Sequence, residues 1–285
     1  MTTDITALSA SELSEQIHAR RISCTEVMQA YLQRIEALNP TYNAIVNLAP
    51  ADVLLAQARQ CDQELAAGQS RGWLHGIPQA IKDTGHALGF PSTMGSRVLA
   101  KQMPRADSIM TERMKAAGCI VIGKTNMPEL GLGSHTFNDL FGATPNAWDR
   151  SVSAGGSSGG AAVALAQRLL PVADGSDFMG SLRNPAGWNH IFGMRPSQGR
   201  VPYGPGADVW IDQLDETDRK MLELLTRGYT DRKISNEVCL SLQTVRNRIS
   251  RLLKKLKLSN RTQLALHASK LNLQPTTSSP FGYSK

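Results

Sequence analysis

The sequence has few cysteines and few aromatic residues, and it contains no long apolar run. Its four cysteines are scattered, without a CxxC pair or regular spacing, which argues against both a zinc site and a disulfide framework. No apolar run approaches the roughly 20 residues that a membrane-spanning helix needs. The first residues also lack the basic stretch and apolar core of a secretory signal. These absences predict a soluble, cytoplasmic protein that does not associate with a membrane.

Most of the chain lacks a net positive charge, and the basic excess is concentrated at its end. Residues 215–285 hold 14 Lys and Arg against 6 Asp and Glu, a net charge of +8. Residues 1–214 hold 17 Lys and Arg against 18 Asp and Glu, a net charge of −1. A basic excess confined to one segment is typical of a module that binds nucleic acid. A solvated charged surface is the alternative that composition alone leaves open.

The first 214 residues alternate between helical patterns and short apolar strands. Such alternation predicts an α/β layer architecture. Apolar spacing predicts a helix over residues 25–38 that stops at Asn39 and Pro40, because proline disfavours a helix interior. The other predicted helices span residues 9–20, 51–65, 107–117 and 159–168, and the predicted strands span residues 78–82, 119–122 and 169–173.

Three separated motifs in this part carry nucleophilic side chains: AIKD at residues 80–83, GGSSGG at 155–160 and GSDFMGSLR at 175–183. A serine hydroxyl is a weak nucleophile unless a nearby base takes its proton. A helix of about ten residues carries the chain ~15 Å away from the second motif, and a strand returns it nearly as far. Ser157 and Ser181 are therefore expected at the same edge of the domain. Lys82 can act as a base only if burial or a cationic neighbour lowers its pKa.

These motifs resemble the Ser-cisSer-Lys triad of the amidase signature family, serine hydrolases that cleave carboxamides. The resemblance covers about residues 5–214, and the longer segment that follows in family members is not found. It implies Lys82 as base, Ser157 as relay and Ser181 as the acyl-forming nucleophile. It also implies a backbone oxyanion hole at Phe178, Met179 and Gly180, a small amide ligand and no cofactor. Met179 departs from the glycine that many members have there. Asp177 and Arg183 are expected to support the loop.

Other motif matches are weaker. Residues 118–125 fit the P-loop pattern, but their four middle residues are apolar and β-branched, which predicts a strand instead of a phosphate cradle. Residues 155–159 fit G-x-S-x-G, but no buried strand precedes them. The six histidines show no HExxH spacing, so the sequence indicates no catalytic metal.

The basic segment predicts four helices. The third, which begins after Ser241 and continues to about Leu256, is apolar on one side and basic on the other, as a recognition helix in the major groove would be. The first runs from Asp215, as its cap, to Arg227. The second spans residues 231–238 and the fourth spans residues 261–271.

This segment resembles the LuxR/FixJ-type helix-turn-helix over about residues 213–272. The resemblance implies that Arg246, Asn247 and Ser250 face base edges of double-stranded DNA. Phosphate contacts are implied for Thr244, Arg248, Arg251 and Lys254. Two positions depart from the family pattern, with Asp218 in place of glutamate and Arg248 where an uncharged residue or histidine is common. The resemblance also implies a homodimer through the fourth helix, with Leu264 and Leu271.

The predicted fold is therefore an α/β domain with an incomplete amidase-signature sheet and flanking helices, followed by a small all-α helix-turn-helix domain. The expected boundaries are residues 1–214, 215–272 and a disordered tail at 273–285. Three hypotheses follow. The favoured one is sequence-specific DNA binding and transcriptional regulation through the C-terminal module, the second is amide hydrolysis, and the third is an accidental junction of two unrelated genes.

Overall fold

The computed structural model describes residues 4–197, 200–202, 216–256 and 258–270. The chain divides into two compact units, Met1–Pro202 and Tyr203–Lys285. The sequence-based boundary at residue 214, the cap at Asp215 and the tail from residue 273 lie outside the described residues.

The first unit is built on a three-stranded sheet with the order β1-β3-β2. The strands are β1 (Ile45–Val46), β2 (Pro78–Lys82) and β3 (Ile120–Thr125). β2 and β3 are parallel, and every residue of both is buried. Burial on both faces explains why β3 begins with an apolar run, residues 120–122, without alternation. A two-stranded hairpin, β4 (Phe137–Asn138) with β5 (Gly142–Ala143), lies apart from this sheet.

The described residues of the first unit form six helices: α1 (Ala10–His18), α2 (Cys24–Tyr42), α3 (Ala51–Ala66), α4 (Ile109–Ala116), α5 (Gly159–Ala166) and α6 (Arg183–Trp188). Short 3-10 helices span Ile5–Ala7, Arg97–Leu99 and Glu129–Gly131. Ser9 and Ser23 each form a capping box at the start of α1 and α2. The core contains Leu13, Tyr31, Leu54, Ile81 and Ile122, all fully buried, and it joins α1–α3 to the sheet.

The prediction that α2 stops at Asn39 and Pro40 is wrong, because the helix continues to Tyr42 with Pro40 inside it. Asn43 adopts a left-handed conformation with φ of 47° and ends the helix. The Asn39 side chain accepts hydrogen bonds from the N–H groups of Ala44 and Ile45, at 3.0 and 2.9 Å. A proline within the last turn removes one helical hydrogen bond, and these side-chain bonds hold the exit of the chain.

The predicted strand at residues 169–173 is also wrong, since this segment forms no ladder. It runs beside β2, and side chains take the place of backbone pairing. Asp174 accepts the Lys82 backbone N–H at 3.1 and 3.2 Å. With its amide oriented to satisfy both partners, Gln79 donates to the Val172 carbonyl at 2.7 Å and accepts from Asp174 N–H at 3.2 Å.

The second unit is all-α, with helices α7 (Glu216–Thr226), α8 (Asp231–Glu237), α9 (Leu242–Leu256) and α10 (Arg261–Lys270). All four predicted helices are present. Their own core is separate from that of the first unit and contains Leu222, Ile234, Val245, Leu252 and Leu264. Thr230 caps α8 by accepting from Lys233 N–H, and Ser241 accepts from Thr244 N–H at 3.1 Å at the start of α9.

Candidate functional site

Lys82, the last residue of β2, is fully buried, and its ammonium nitrogen faces three serine hydroxyls. Nζ donates to Oγ of Ser157 at 2.7 Å, of Ser158 at 2.9 Å and of Ser176 at 2.7 Å. The three serines come from two separated loops, so the tertiary fold assembles this cluster. We call Lys82 with Ser157, Ser158 and Ser176 the lysine–serine cluster.

Burial lowers the pKa of Lys82 to about 8, because the charged form loses its hydration. The nearby carboxylates of Asp174 and Asp177 oppose this shift. Burial in turn raises the pKa of Asp174, whose carboxylate accepts the Lys82 backbone N–H. A substantial fraction of Lys82 is therefore neutral at mildly alkaline pH, which is the state that can accept a proton.

Close backbone packing fixes the loop that carries Ser157. The peptide bond from Gly156 to Ser157 is cis, and Ser157 is 3% exposed. At Gly156 a Cβ atom would lie 3.1 Å from the backbone nitrogen of His135, and at Gly160 it would lie 2.5 Å from the Asn126 carbonyl oxygen. The glycines of this motif therefore let the loop approach the backbone of residues 133–135 and let the start of α5 approach the exit of β3.

Ser181 lies beside the lysine–serine cluster without joining it. Its carbonyl oxygen accepts the Ser158 backbone N–H at 2.9 Å, and the residue is half-buried. Among the described residues, no hydrogen bond connects Ser181 Oγ to Ser157 or Lys82. The structure thus brings together Lys82 and Ser157, and it places Ser181 one backbone contact away.

The three residues predicted to form an oxyanion hole have different surroundings. Gly180 N–H donates to Asp177 Oδ1 at 2.8 Å. Phe178 and Met179 are 65% and 82% exposed, and within the described ranges their N–H groups donate to no protein acceptor. Two of the three groups thus remain available to an external oxygen atom.

Asp177 holds this loop in place. Arg183 donates to both of its carboxylate oxygens, at 2.8 and 3.0 Å. These bonds, with the backbone N–H groups of Gly180 and Arg183, hold the pKa of Asp177 well below its usual range. The supporting role expected of this pair from the sequence is compatible with these contacts.

Sequence reasoning missed Ser158 and Ser176 as partners of Lys82. Both belong to motifs that it singled out, since Ser158 follows Ser157 and Ser176 precedes Asp177. They also contact each other, because Ser176 N–H donates to Ser158 Oγ at 3.2 Å. The available signal was the presence of a second hydroxyl in each motif.

A cavity of about 650 Å³ adjoins the lysine–serine cluster. Its lining is mainly apolar, and it reaches the cluster at Ser158, Asp174 and Gly175. Phe192 and Met194, which also line it, are 88% and 68% exposed. A volume of this size can accept a small organic ligand.

Within the described residues, one group combines metal-ligating side chains: Cys61, Glu64 and His75, whose ligand atoms lie within 4.8 Å of one another. Both histidine nitrogens are engaged, since Nε2 bonds the Cys61 carbonyl at 2.9 Å and Nδ1 accepts Arg71 N–H at 3.1 Å. Glu64 accepts from Arg71 Nε at 2.7 Å. Hydrogen bonds within the protein therefore account for the positions of the His75 and Glu64 side chains.

In the second unit, α9 has the two faces that its sequence predicts. Val245, Ile249 and Leu252 are buried in the core. The opposite face exposes five of the residues predicted to contact DNA: Arg246, Asn247, Ser250, Arg251 and Lys254. Thr244 is half-buried at the start of the helix.

Among the arginines predicted to contact DNA, Arg248 is less exposed than Arg246 and Arg251 and is paired within the protein. Its Nη1 donates to Asp218 Oδ1 at 2.8 Å, and its side chain is 25% exposed. Arg251 donates to the other oxygen of Asp218 at 2.7 Å, with its side chain 59% exposed. Asp218 and Arg248, the two departures from the family pattern, are therefore partners across α7 and α9.

A second carboxylate joins α8 to the start of α9 and of α10. Arg246 Nε lies 3.7 Å from Asp231 Oδ2. Arg261 donates to Asp231 Oδ1 and to the Tyr229 carbonyl oxygen.

No helix in the described part of the chain is long and apolar enough to cross a membrane.

Comparison with known families gives two matches. Residues 26–227 match the family model described as Amidase, and residues 212–268 match the one described as bacterial regulatory proteins of the luxR family. The two matches overlap over residues 212–227, the region that contains the boundary expected from the sequence.

Among individual proteins, the chain is similar to the A subunit of the glutamyl-tRNA(Gln) amidotransferase of Acidothermus cellulolyticus. The identity is 42% over 222 residues, which cover 77% of this chain and 44% of that protein. The corresponding protein of Corynebacterium jeikeium is 41% identical over 223 residues, with the same coverage. The chain thus spans less than half the length of these relatives.

Two solved structures are also similar to part of this chain. A bacterial aryl acylamidase of the amidase signature enzymes family superposes with a TM-score of 0.68 and 34% identity, covering 73% of this chain and 43% of that one. A fatty acid amide hydrolase superposes with a TM-score of 0.66 and 27% identity, covering 71% of this chain and 36% of that one.

Proposed function

The chain belongs to the amidase family over residues 26–227 and carries a luxR-family regulatory domain over residues 212–268, and we propose that it binds double-stranded DNA through the second domain. Binding is sequence-specific and regulates transcription. Because DNA is the proposed partner, we place the protein in the cytoplasm. The boundary between the domains is proposed at residues 214 and 215.

The observation that carries this proposal is the form of α9. Its apolar side is buried in a core formed by all four helices, and its basic side is exposed. A helix fixed on a rigid scaffold can enter the major groove without a further part of the protein. The net charge of +8 over residues 215–285 attracts the phosphate backbone.

The exposed side chains fall into two groups by chemistry. Arg246, Asn247 and Ser250 are proposed to read base edges, because arginine and asparagine form bidentate hydrogen bonds with guanine and adenine. Arg251, Lys254 and the backbone at Thr244 are proposed to contact phosphates. Arg248 is proposed to contact phosphate as well, although its bond to Asp218 commits part of its guanidinium to the fold.

Titration of the full chain with duplex DNA at two salt concentrations tests this function. We expect affinity to fall steeply as salt increases, since binding releases counterions from the phosphates. Arg246→Ala should weaken sequence preference, whereas Lys254→Ala should lower affinity equally for all sequences. Lys101→Ala removes the same charge from an exposed position of the first unit and serves as control. Weak binding that salt does not change would reject the proposal.

A homodimer through α10 is part of this proposal, because regulators of this kind read paired half-sites as dimers. Leu264 is fully buried in the core of its own module, so it is not exposed for pairing. Leu266 on the same helix is 60% exposed and is the leucine that a second module could contact. Leu271, the other residue named from the sequence, lies outside the described residues.

Amide hydrolysis is a second candidate, favoured by the hydrogen bond of 2.7 Å from buried Lys82 to Ser157. In this reaction Ser181 Oγ attacks the carbonyl carbon of an amide and its proton passes to Ser157 Oγ. Ser157 passes its own proton to neutral Lys82. This proton returns through Ser157 to the amine, which leaves the tetrahedral intermediate and so gives the acyl-enzyme; water then hydrolyses the ester and frees Ser181. The backbone N–H groups at Phe178 and Met179 would stabilise the oxyanion. A small amide would bind in the adjoining cavity.

A fluorophosphonate probe tests this second candidate directly, because it reacts only with an activated serine. We expect covalent labelling of Ser181 in the full chain, measured by intact mass and peptide mapping. Lys82→Ala and Ser181→Ala should both abolish it. Absence of labelling at alkaline pH would leave the amidase-family relationship without hydrolytic activity.

A further inference from the structure

Asp231 lies between two arginines from different helices, and each of its carboxylate oxygens faces one of them. Arg261, at the start of α10, donates to Oδ1, and the Nε of Arg246, on the exposed face of α9, lies 3.7 Å from Oδ2. The three side chains line a cavity of about 450 Å³ together with Tyr229, Thr230 and Leu242. Asp231 is half-buried, with 26% of its side chain exposed, while 58% of the Arg246 side chain is exposed.

We propose that Asp231 is a positioning residue for base recognition: it orients Arg246 toward the DNA and so determines how strictly the base pair opposite Arg246 is read. This inference rests on the proposed DNA binding. It assigns to α8 a direct part in specificity, in addition to supporting the recognition helix.

The first step is that Asp231 itself is held in place. Arg261 donates both to Asp231 and to the carbonyl oxygen of Tyr229, so its guanidinium has two anchors. Thr230 caps the helix that Asp231 begins. The carboxylate is therefore fixed relative to α8 and α10 before DNA arrives.

The second step concerns the donors of Arg246. A guanidinium carries five N–H donors, and a pairing through Nε leaves the four donors on the two terminal nitrogens for another acceptor. A bidentate contact to guanine O6 and N7 needs only two. Asp231 can therefore restrict the side chain without using the donors that read the base. Restriction matters because a free arginine loses rotamer entropy when it is immobilised on a base.

The third step is electrostatic. A carboxylate near the DNA-facing side repels phosphates, so it lowers affinity for every duplex regardless of sequence. The same carboxylate favours the duplex on which an oriented Arg246 finds its base. The repulsion is the same for all duplexes and cancels in the comparison, so discrimination increases through the orientation of Arg246 alone. A residue that only stabilised the fold would change binding to all sequences in the same direction.

The test uses the full chain with an operator obtained by selection from a randomised duplex. Affinity is measured for that operator, for its single base-pair variants and for a random duplex. For Asp231→Asn we expect discrimination at the base pair read by Arg246 to fall by about tenfold. Affinity for the random duplex should stay equal or increase. Asp231→Glu should restore most of the discrimination.

Glu237→Gln is the matched control, because Glu237 lies exposed on the same helix and carries the same charge. It should leave discrimination unchanged. In an Arg246→Ala background, Asp231→Asn should cause no further loss at that base pair. If Asp231→Asn fails to fold by circular dichroism, Asp231→Glu takes its place in this cycle, with a smaller loss expected that again disappears in the Arg246→Ala background.

Two results would overturn the inference while leaving DNA binding intact. One is an equal change in affinity for all duplexes in Asp231→Asn and Glu237→Gln. The other is the same loss of discrimination with and without Arg246. If the unmodified chain shows no salt-dependent binding to any duplex, the proposed function fails first, and the positioning role fails with it.

Discussion

The surroundings of Lys82 determine which protonation state this single side chain adopts. Its pKa of about 8 is lower than the 10.5 of an exposed lysine, because burial penalises the ammonium form. The neutral fraction of the amine therefore increases as pH rises through 8. If Lys82 is the base that activates Ser181, the rate of probe labelling should increase about tenfold between pH 7 and pH 9, as the titration of one group requires. A midpoint near 10.5 would show that burial does not shift this lysine.

Substitution of a hydroxyl next to Lys82 tests how the surroundings set the pKa of this lysine. Ser176 Oγ accepts from Lys82 Nζ at 2.7 Å and so stabilises the charged amine. We expect Ser176→Ala to lower the pKa of Lys82 further and to move the midpoint of the labelling rate to lower pH. Ser151→Ala removes a hydroxyl from an exposed loop, where it contacts Asp149, and should leave the midpoint unchanged. An unchanged midpoint in Ser176→Ala would contradict this role of Ser176.

Some contacts of single residues could be predicted from the sequence and others could not. The motifs identified Lys82 and Ser157, because nucleophilic chemistry limits which residue types are useful. Ser158 and Ser176 were missed as partners of Lys82, since spacing along the chain does not show which hydroxyl turns toward a buried amine. Likewise Asp218 and Arg248 were noted separately, and only the tertiary structure joins them across 30 residues.

The pairing of Arg248 with Asp218 leads to a prediction about stability. Asp218 has only 3% of its side chain exposed, so removing one of its cationic partners leaves a buried carboxylate less well compensated. We expect Arg248→Ala to lower the free energy of unfolding of the second unit by about 1 to 3 kcal/mol. Lys254→Ala, at an exposed position on the same helix, should change it by less than about 0.5 kcal/mol.

Urea unfolding of the full chain measures these stabilities, and DNA titration compares the affinities. Both substitutions should weaken DNA binding, but only Arg248→Ala should also change stability. Equal stability of the two variants would show that Arg248 contributes no more to the fold than an exposed lysine.

At the scale of secondary-structure elements, the packing of α5 against the end of β3 requires a glycine at residue 160. At Gly160, a Cβ atom would meet the backbone nitrogen of Asn126 and lie 2.7 Å from the Ala44 carbonyl oxygen. Backbone atoms cannot give way as a flexible side chain can. The glycines of the GGSSGG motif therefore serve packing as well as loop flexibility.

Gly160→Ala should accordingly destabilise the first unit by about 1 to 3 kcal/mol or more, as overpacking does. Gly187→Ala is the matched control, since Gly187 is also helical and a Cβ there meets nothing within 4 Å. It should be neutral or stabilising by up to about 1 kcal/mol, because alanine favours a helix. Thermal unfolding followed by circular dichroism measures both. Equal destabilisation by the two substitutions would rule out the close approach at Gly160.

Elements were predictable where local pattern and tertiary packing agree. β2, α5 and all four helices of the second unit lie close to where the sequence predicts them. The extension of α2 through Pro40 was not predictable from spacing, because side-chain bonds from Asn39 to residues beyond the helix decide it. The segment 169–173 is apolar enough for a strand, but pairing needs a partner edge, and side chains of Gln79 and Asp174 occupy that edge.

At the scale of the whole molecule, the two units have separate cores, and the excess of basic residues lies in the second. The first shares its fold with enzymes of more than twice its matched length, and the second is a helical module with a core of its own. A unit with a core of its own can unfold without its neighbour. Each proposed function therefore depends on the folding of its own unit, and unfolding of one unit can abolish one function without the other.

Calorimetry of the full chain should then show two transitions that respond to different substitutions. Ile35→Ala removes a side chain that is 2% exposed in the first core, and Leu252→Ala one that is 1% exposed in the second. Each substitution should lower the midpoint temperature of only one transition. The free energy of unfolding of the affected unit should fall by about 2 to 5 kcal/mol. An excess of operator duplex should raise only the transition that Leu252→Ala lowers, because a ligand stabilises the unit to which it binds. A single transition shifted by both substitutions and by DNA would mean that the two units fold as one cooperative body, and that the amidase-family unit contributes to the stability of the DNA-binding module.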